Sequence, residues 1–213
     1  MRANYQSSYD AVAEEYAARI FDELRHKPFD RELLDRFAAT VRDSGPACDM
    51  GCGPGQVARY LQSRGLDVCG YDLSPKMVEL ARQLNPGIEF HQGDMTALDV
   101  ADNSWAGIVA FYSLIHIAPE LMGQTLQELR RVLRPNGLLL LSFHIGNETL
   151  HLDEWWGKQV CVDFFMLDPN AVAGHLRNAG FDVEEIVERD PYPEVEHQSR
   201  RAYIVARSPK EVG

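Results

Sequence analysis

Asp49-Met50-Gly51-Cys52-Gly53-Pro54-Gly55 sets three glycines at alternate positions behind a carboxylate, and Asp72 follows twenty-three residues after Asp49. A strand that ends in glycines and runs into a helix presents unpaired N–H groups and lets a ligand approach the backbone closely. A carboxylate at the end of the next strand stands where an acid accepts hydrogen bonds from both hydroxyls of a ribose. Together the two features describe a nucleoside site. His116 and His144 close the fourth and fifth apolar segments, where a histidine beside a bound ligand is able to take a proton. The competing reading of a histidine at a strand end is a hydrogen-bonded structural group.

The glycine spacing narrows the ligand. A Walker loop needs Gly-Lys-Ser/Thr, which is absent, and a dinucleotide fingerprint needs Gly or Ala at position 56, where Gln56 stands. A pyrophosphate is repelled by carboxylates at this spacing, whereas a sulfonium cofactor with an amino-acid moiety is attracted by them. Charge therefore favours S-adenosylmethionine over NAD. The four cysteines, Cys48, Cys52, Cys69 and Cys161, lack the spacing of zinc ligands and read as reduced thiols, so no metal is expected.

Short apolar runs alternate with amphipathic ones along the chain. Strands are expected at 47–50, 67–71, 88–91, 105–111 and 138–144, with helices at 55–64, after the Ser74 cap and Pro75, and at 119–133. Strands separated by helices need crossovers, which implies an α/β, doubly wound, Rossmann-like, mostly parallel sheet with helices on both faces. A helix at 168–179 is followed by apolar runs at 181–188 and 201–206 with no helix between them, so the seventh and last strand is expected to be antiparallel. With 213 residues a single domain is expected over 1–213: an N-terminal helical cap at 1–44 with helices at 9–20 and 28–41, a cofactor-binding core at 45–144, a substrate-facing insertion at 145–167, and a C-terminal helix and strands at 168–213.

Several segments, in order, resemble the class I S-adenosylmethionine-dependent methyltransferases that act on small molecules. Cys48-Asp49-Met50-Gly51-Cys52-Gly53-Pro54-Gly55 is similar to their first motif, Gly70-Tyr71-Asp72-Leu73-Ser74 to the second and Gln92-Gly93-Asp94-Met95 to the third. Asn103-Ser104-Trp105-Ala106-Gly107-Ile108-Val109 and Leu133-Arg134-Pro135-Asn136-Gly137 resemble the remaining two, with Ala106 and Gly107 in place of a common aromatic-Asp pair. The resemblance implies that Asp49, Gly51 and Gly53 face the methionine portion, Asp72 the ribose, Leu73 and Met77 the adenine faces, and Asp94 and Met95 the adenine edge. Met77 fits an ordinary core stripe equally well. Phe111 joins this set at the end of the fourth strand. The segment Tyr-Asp-Ala-Val-Ala-Glu-Glu-Tyr from Tyr9 to Tyr16 is similar to a helix that closes over the cofactor in many relatives.

The implied reaction is methyl transfer to oxygen or nitrogen of a small molecule, leaving S-adenosylhomocysteine. The alternatives are a fold relative with a non-methylating activity and a macromolecule methyltransferase. A net charge of −11 argues against nucleic acid as partner. No segment has the apolar length of a leader or a membrane span, so a cytoplasmic monomer or homodimer is expected. Trp155, Trp156, Phe164 and Phe165 are candidates for an aromatic lid over the acceptor. Most of the charges among Glu194, Glu196, Arg200 and Arg201 are expected to be solvated, with one arginine available to an acidic substrate group.

Overall fold

The computed structural model describes residues 4–210. In chain order the elements are α1 (Tyr5–Ile20), a 3-10 turn (Glu23–His26), α2 (Pro28–Val41), β1 (Ala47–Met50), α3 (Gln56–Ser63), β2 (Val68–Asp72), α4 (Pro75–Leu84), β3 (Glu89–Gln92) and β4 (Trp105–Phe111). A second 3-10 turn (Leu114–His116) leads to α5 (Pro119–Val132), β5 (Leu133–His144), β6 (Thr149–Trp155), β7 (Lys158–Phe165), α6 (Pro169–Asn178), β8 (Asp182–Arg189) and β9 (Arg201–Arg207).

Seven strands form one sheet in the order β3-β2-β1-β4-β5-β9-β8. The first five are parallel, and β9 runs antiparallel to both β5 and β8. The order reverses between β1 and β4, so the carboxyl ends of these two strands open a crevice. Side chains alternate across the sheet with period two. Ile108, Ala110, Leu139 and Leu141 pack under α5 and α6, whereas Val109, Leu138 and Leu140 pack under α2 and α3. Burying each such aliphatic side chain contributes about 1.5–3 kcal/mol.

Three boundaries differ from the sequence expectations. Helix α1 starts at Tyr5, because Asn4 accepts from the Ser7 N–H and caps the first turn. Strand β5 starts at Leu133, opposite Trp105, so the chain passes from α5 into the sheet without an intervening loop. The insertion at 145–167 is a hairpin of β6 and β7, whose two-residue turn places both Trp156 and Gly157 at positive φ. It attaches to α1 through Asn4 N–H to Cys161 O and Cys161 N–H to Ser8 Oγ, each 2.9 Å. None of the described helices is long and apolar enough to cross a membrane.

Candidate active site

The carboxyl ends of β1, β2, β4 and β5 open into a cavity of about 650 Å³, roofed by α1 and the β6–β7 hairpin. Gly51 turns the chain out of β1 with φ +71°, and a Cβ at this position would lie 2.3 Å from the Ser113 Cβ. Only glycine fits, so backbone and ligand approach closely here. Asp49 is buried, and its Oδ2 accepts from the Ala58 N–H at 2.9 Å. Burial, with Asp72 nearby, pushes the Asp49 carboxyl up to about 7. Asp72 accepts from the Gly53 and Ser74 N–H groups, both at 2.8 Å, yet burial and Asp10 still raise it to about 6.

A buried and a half-buried carboxylate with no cation paired to either among the described residues make a site short of positive charge. Ser113 Oγ and Gln56 Oε1, both on residues of the cavity wall, are buried without a hydrogen-bond partner. Orphaned polar atoms of this kind in a cavity wall await a ligand. A ligand carrying a sulfonium, an ammonium and ribose hydroxyls fits this donor and acceptor set. Of the residues singled out in the sequence, Tyr9, Tyr16, Asp49, Gly51, Gly53, Asp72, Leu73, Asp94, Met95, Phe111, His116 and His144 all face this one cavity. Met77 does not. It is wholly buried in the core, and its N–H is spent on the Ser74 cap. Asp94 Oδ1 accepts from the Thr96 N–H and hydroxyl, so this oxygen also holds its own turn.

The roof is aromatic. Trp155 packs edge-on against Tyr9, Tyr16 and Phe164, at 5.5 to 5.8 Å between ring centres. His116 lies beneath it and fastens both parts: Nδ1 is 3.0 Å from the Asp163 carbonyl in β7, and Nε2 is 2.7 Å from the Tyr9 hydroxyl in α1. A carbonyl only accepts, so Nδ1 carries the proton and Nε2 accepts from Tyr9. Burial pushes His116 down to about 4, which keeps the ring neutral. Asp10 continues the attachment of α1 by accepting from Ser74 Oγ at 2.6 Å, at the start of α4.

The far wall is polar and was not legible as such. Tyr112 holds φ +52°, an uncommon conformation outside glycine, at the first position after β4. Its ring lies 5.0 Å from His144, 5.4 Å from Lys27 Nζ and 5.8 Å from the Arg201 guanidinium carbon. His144 Nδ1 meets Ser199 Oγ at 2.8 Å, and burial together with Arg201, His197 and Lys27 pushes it down to about 3. Glu196 and Arg201 are not solvated: their side chains are 0% and 2% exposed. Glu196 binds Arg189 through both oxygens, at 2.7 and 2.9 Å, and takes the Tyr192 N–H at 2.8 Å. A charged run of this composition looks like surface in sequence, and no motif marks Lys27 or Tyr112.

A family profile described as a methyltransferase domain matches residues 47–137. The chain is 28% identical over 146 residues to a malonyl-[acyl-carrier protein] O-methyltransferase of Pseudescherichia vulneris, covering 66% of this chain and 55% of that protein. It is 31% identical over 133 residues to a putative methyltransferase of Bacillus subtilis, covering 60% and 53%. The chain thus spans about half the length of the curated relatives it matches. Among solved structures, a putative methyltransferase of Haloferax volcanii in complex with the Trm112 activator superposes with a TM-score of 0.72 at 20% identity, covering 99% of this chain and 100% of that one. Its likeness is one of fold. The glycine turn, the acid closing β2 and strands β1 to β4 thus lie within the matched segment, and residues 47–137 form a class I, S-adenosylmethionine-dependent methyltransferase domain.

Proposed function

We propose that this chain transfers a methyl group to an oxygen or nitrogen of a small-molecule acceptor held in the same cavity as the cofactor. The observation that carries this reading is the division of that cavity. At one end stand two carboxylates, the buried Asp49 and the half-buried Asp72; at the other, past Phe111, a polar wall with room for a second molecule. S-adenosylmethionine supplies, when bound, a methyl group on a positively charged sulfur.

The protein's own residues then align and enclose. Asp72 receives the ribose hydroxyls, Leu73 and Met95 flank the adenine, Asp94 meets its edge, and Asp49, Gly51 and Gly53 border the methionine portion. Tyr9, Tyr16 and Trp155 exclude water from the transfer, which needs alignment more than acid–base help. His116 Nε2 is already occupied by Tyr9, so His116 acts foremost by fixing the roof, and any proton it takes from the acceptor passes through the Tyr9 hydroxyl. The net charge of −11 supports a small acceptor over a nucleic acid, and four cysteines that stand outside any disulfide suit a cytoplasmic setting.

The test is formation of S-adenosylhomocysteine from S-adenosylmethionine with panels of small acids, alcohols and amines, beside calorimetry of cofactor binding. Asp72→Asn is expected to weaken cofactor binding by about tenfold, the cost of one charge-assisted hydrogen bond. Binding without product across all acceptor classes overturns the transfer reading.

A further inference from the structure

The polar wall has a charge pattern that defines what kind of acceptor it takes. Arg189 and Glu196 satisfy each other through two parallel contacts, and Arg189 also reaches Asp30 at 2.8 Å. Lys27 pairs with Glu23 at 2.5 Å and stands 3.6 Å from Glu196. Arg201 is the cation left with least. Its Nη1 donates to two neutral carbonyls, those of His197 and Ser199, at 3.0 and 2.7 Å. Its Nε lies 3.2 Å from a Glu196 oxygen already shared with Arg189 and Lys27, and makes no hydrogen bond there. Its Nη2 has no hydrogen bond among the described residues, although Arg201 is 2% exposed and lines the cavity. A buried guanidinium with an open edge toward a cavity is able to take a planar anion there.

His144 completes the corner. Its Nδ1 faces Ser199 Oγ, which is itself 3.3 Å from His197 Nδ1. With His197 Nδ1–H donating to Ser199 Oγ and the Ser199 hydroxyl donating to His144 Nδ1, the neutral His144 ring carries its one proton on Nε2, a donor on the cavity side. Nε2 has no hydrogen-bond partner among the described residues.

We propose that Arg201, with His144 and Lys27 beside it, binds a carboxylate of the acceptor, so that the substrates of this chain are small carboxylic acids. The inference rests on the methyl-transfer reading for the word substrate but not for the binding itself. A monoanion is specified over a phosphate dianion because Glu23 and Glu196 stand in the same wall and repel a second negative charge. Planar carboxylate also matches the planar fork of the guanidinium.

The probes are benzoate and butyrate against benzamide and butyramide, which keep the shape and remove the charge. Binding to the protein saturated with S-adenosylhomocysteine is followed by ligand-observed NMR and calorimetry, and turnover of amino- and hydroxy-substituted acids is compared with that of their amides. The acids are expected to bind the unmodified protein at least about tenfold more tightly than the amides. Arg201→Lys should retain part of this preference and Arg201→Met should lose it, with cofactor affinity held within about twofold. Equal binding of acid and amide to the unmodified protein overturns the proposal and requires no variant to fold. Preference for the acids without any S-adenosylhomocysteine formed supports the subsite while counting against methyl transfer, so the two failures are distinguishable.

Discussion

The Tyr9 hydroxyl donates to Nε2 of His116 at 2.7 Å, although 107 residues separate the two in sequence. This single bond joins α1 to the turn after β4, and the other ring nitrogen continues the connection to β7. The roof therefore closes as one piece. Removing either partner should loosen both parts of it.

Tyr9→Phe removes the donor and keeps the ring, which costs about 1 kcal/mol of closure, or roughly fivefold in cofactor affinity. Hydrogen exchange across α1 should quicken in parallel. His116→Ala removes the same bond and also frees the Asp163 carbonyl, so it should lower cofactor affinity by at least as much as Tyr9→Phe. The double variant should fall short of additivity by about 0.5–3 kcal/mol, as groups in direct contact do. Additive effects in the cycle would show that the contact carries no energy.

Cofactor binding should strengthen with pH. Burial raises Asp49 to about 7 and Asp72 to about 6, so both ionise across the range in which a cationic ligand is titrated. For folding alone, raised carboxylates contribute stability below the ordinary carboxyl range and lose it as pH rises through 6 to 7. His116 and His144, depressed to about 4 and 3, act in the opposite sense and lose stability as pH falls below 6.5. The two pairs oppose each other over most of this range, which leaves the thermal midpoint of the free protein comparatively flat. The shift in midpoint on adding S-adenosylmethionine should instead grow from pH 5.5 to pH 8, and Asp49→Asn should flatten that growth. A shift independent of pH in the unmodified protein would refute it.

What the sequence made legible were the parts governed by local rules. The glycine turn, the Ser74 cap with Pro75, and the alternation of strands with helices specify backbone hydrogen bonding within a few residues, and the sheet follows from them. The β6–β7 hairpin escaped because Val162 is the one residue of its two strands that is fully buried, so no one-sided apolar alternation marks it, although Trp156-Gly157 carries the turn. The polar wall escaped for another reason. Lys27, Tyr112, His144 and the Glu196–Arg201 segment come from four separate parts of the chain, and their burial arises only when the sheet brings them together. A run containing Glu194, Glu196, Arg200 and Arg201 has the composition of a surface, and Arg200 is indeed 57% exposed beside the buried Arg201.

Gly51→Ala probes the turn itself. A methyl group at this position meets Ser113 at 2.3 Å and must adopt φ +71°. The strained backbone alone costs about 1–3 kcal/mol. Pairing the change with Ser113→Gly relieves the clash but not the dihedral strain, so part of the lost stability should return in thermal unfolding. Full recovery would assign the whole effect to the side-chain contact, and none would assign it to the backbone.

The buried ion cluster yields a prediction with a defined pH signature. Burial works to raise Glu196, but Arg189, the Tyr192 N–H, Arg201 and Lys27 outweigh it and hold the carboxyl down at about 2. Glu196→Gln leaves those three cations without their shared counter-charge, and breaking a buried pair in this way costs about 3–5 kcal/mol. Because the folded group sits below its ordinary value, its contribution is complete above about pH 4.5 and is lost as pH falls toward 2. Urea unfolding should therefore show a constant deficit for the variant at pH 6 to 8, narrowing by pH 3. A variant as stable as the parent at pH 7 would mean that Arg189 and Arg201 find other partners, and that the corner is held by packing instead of charge.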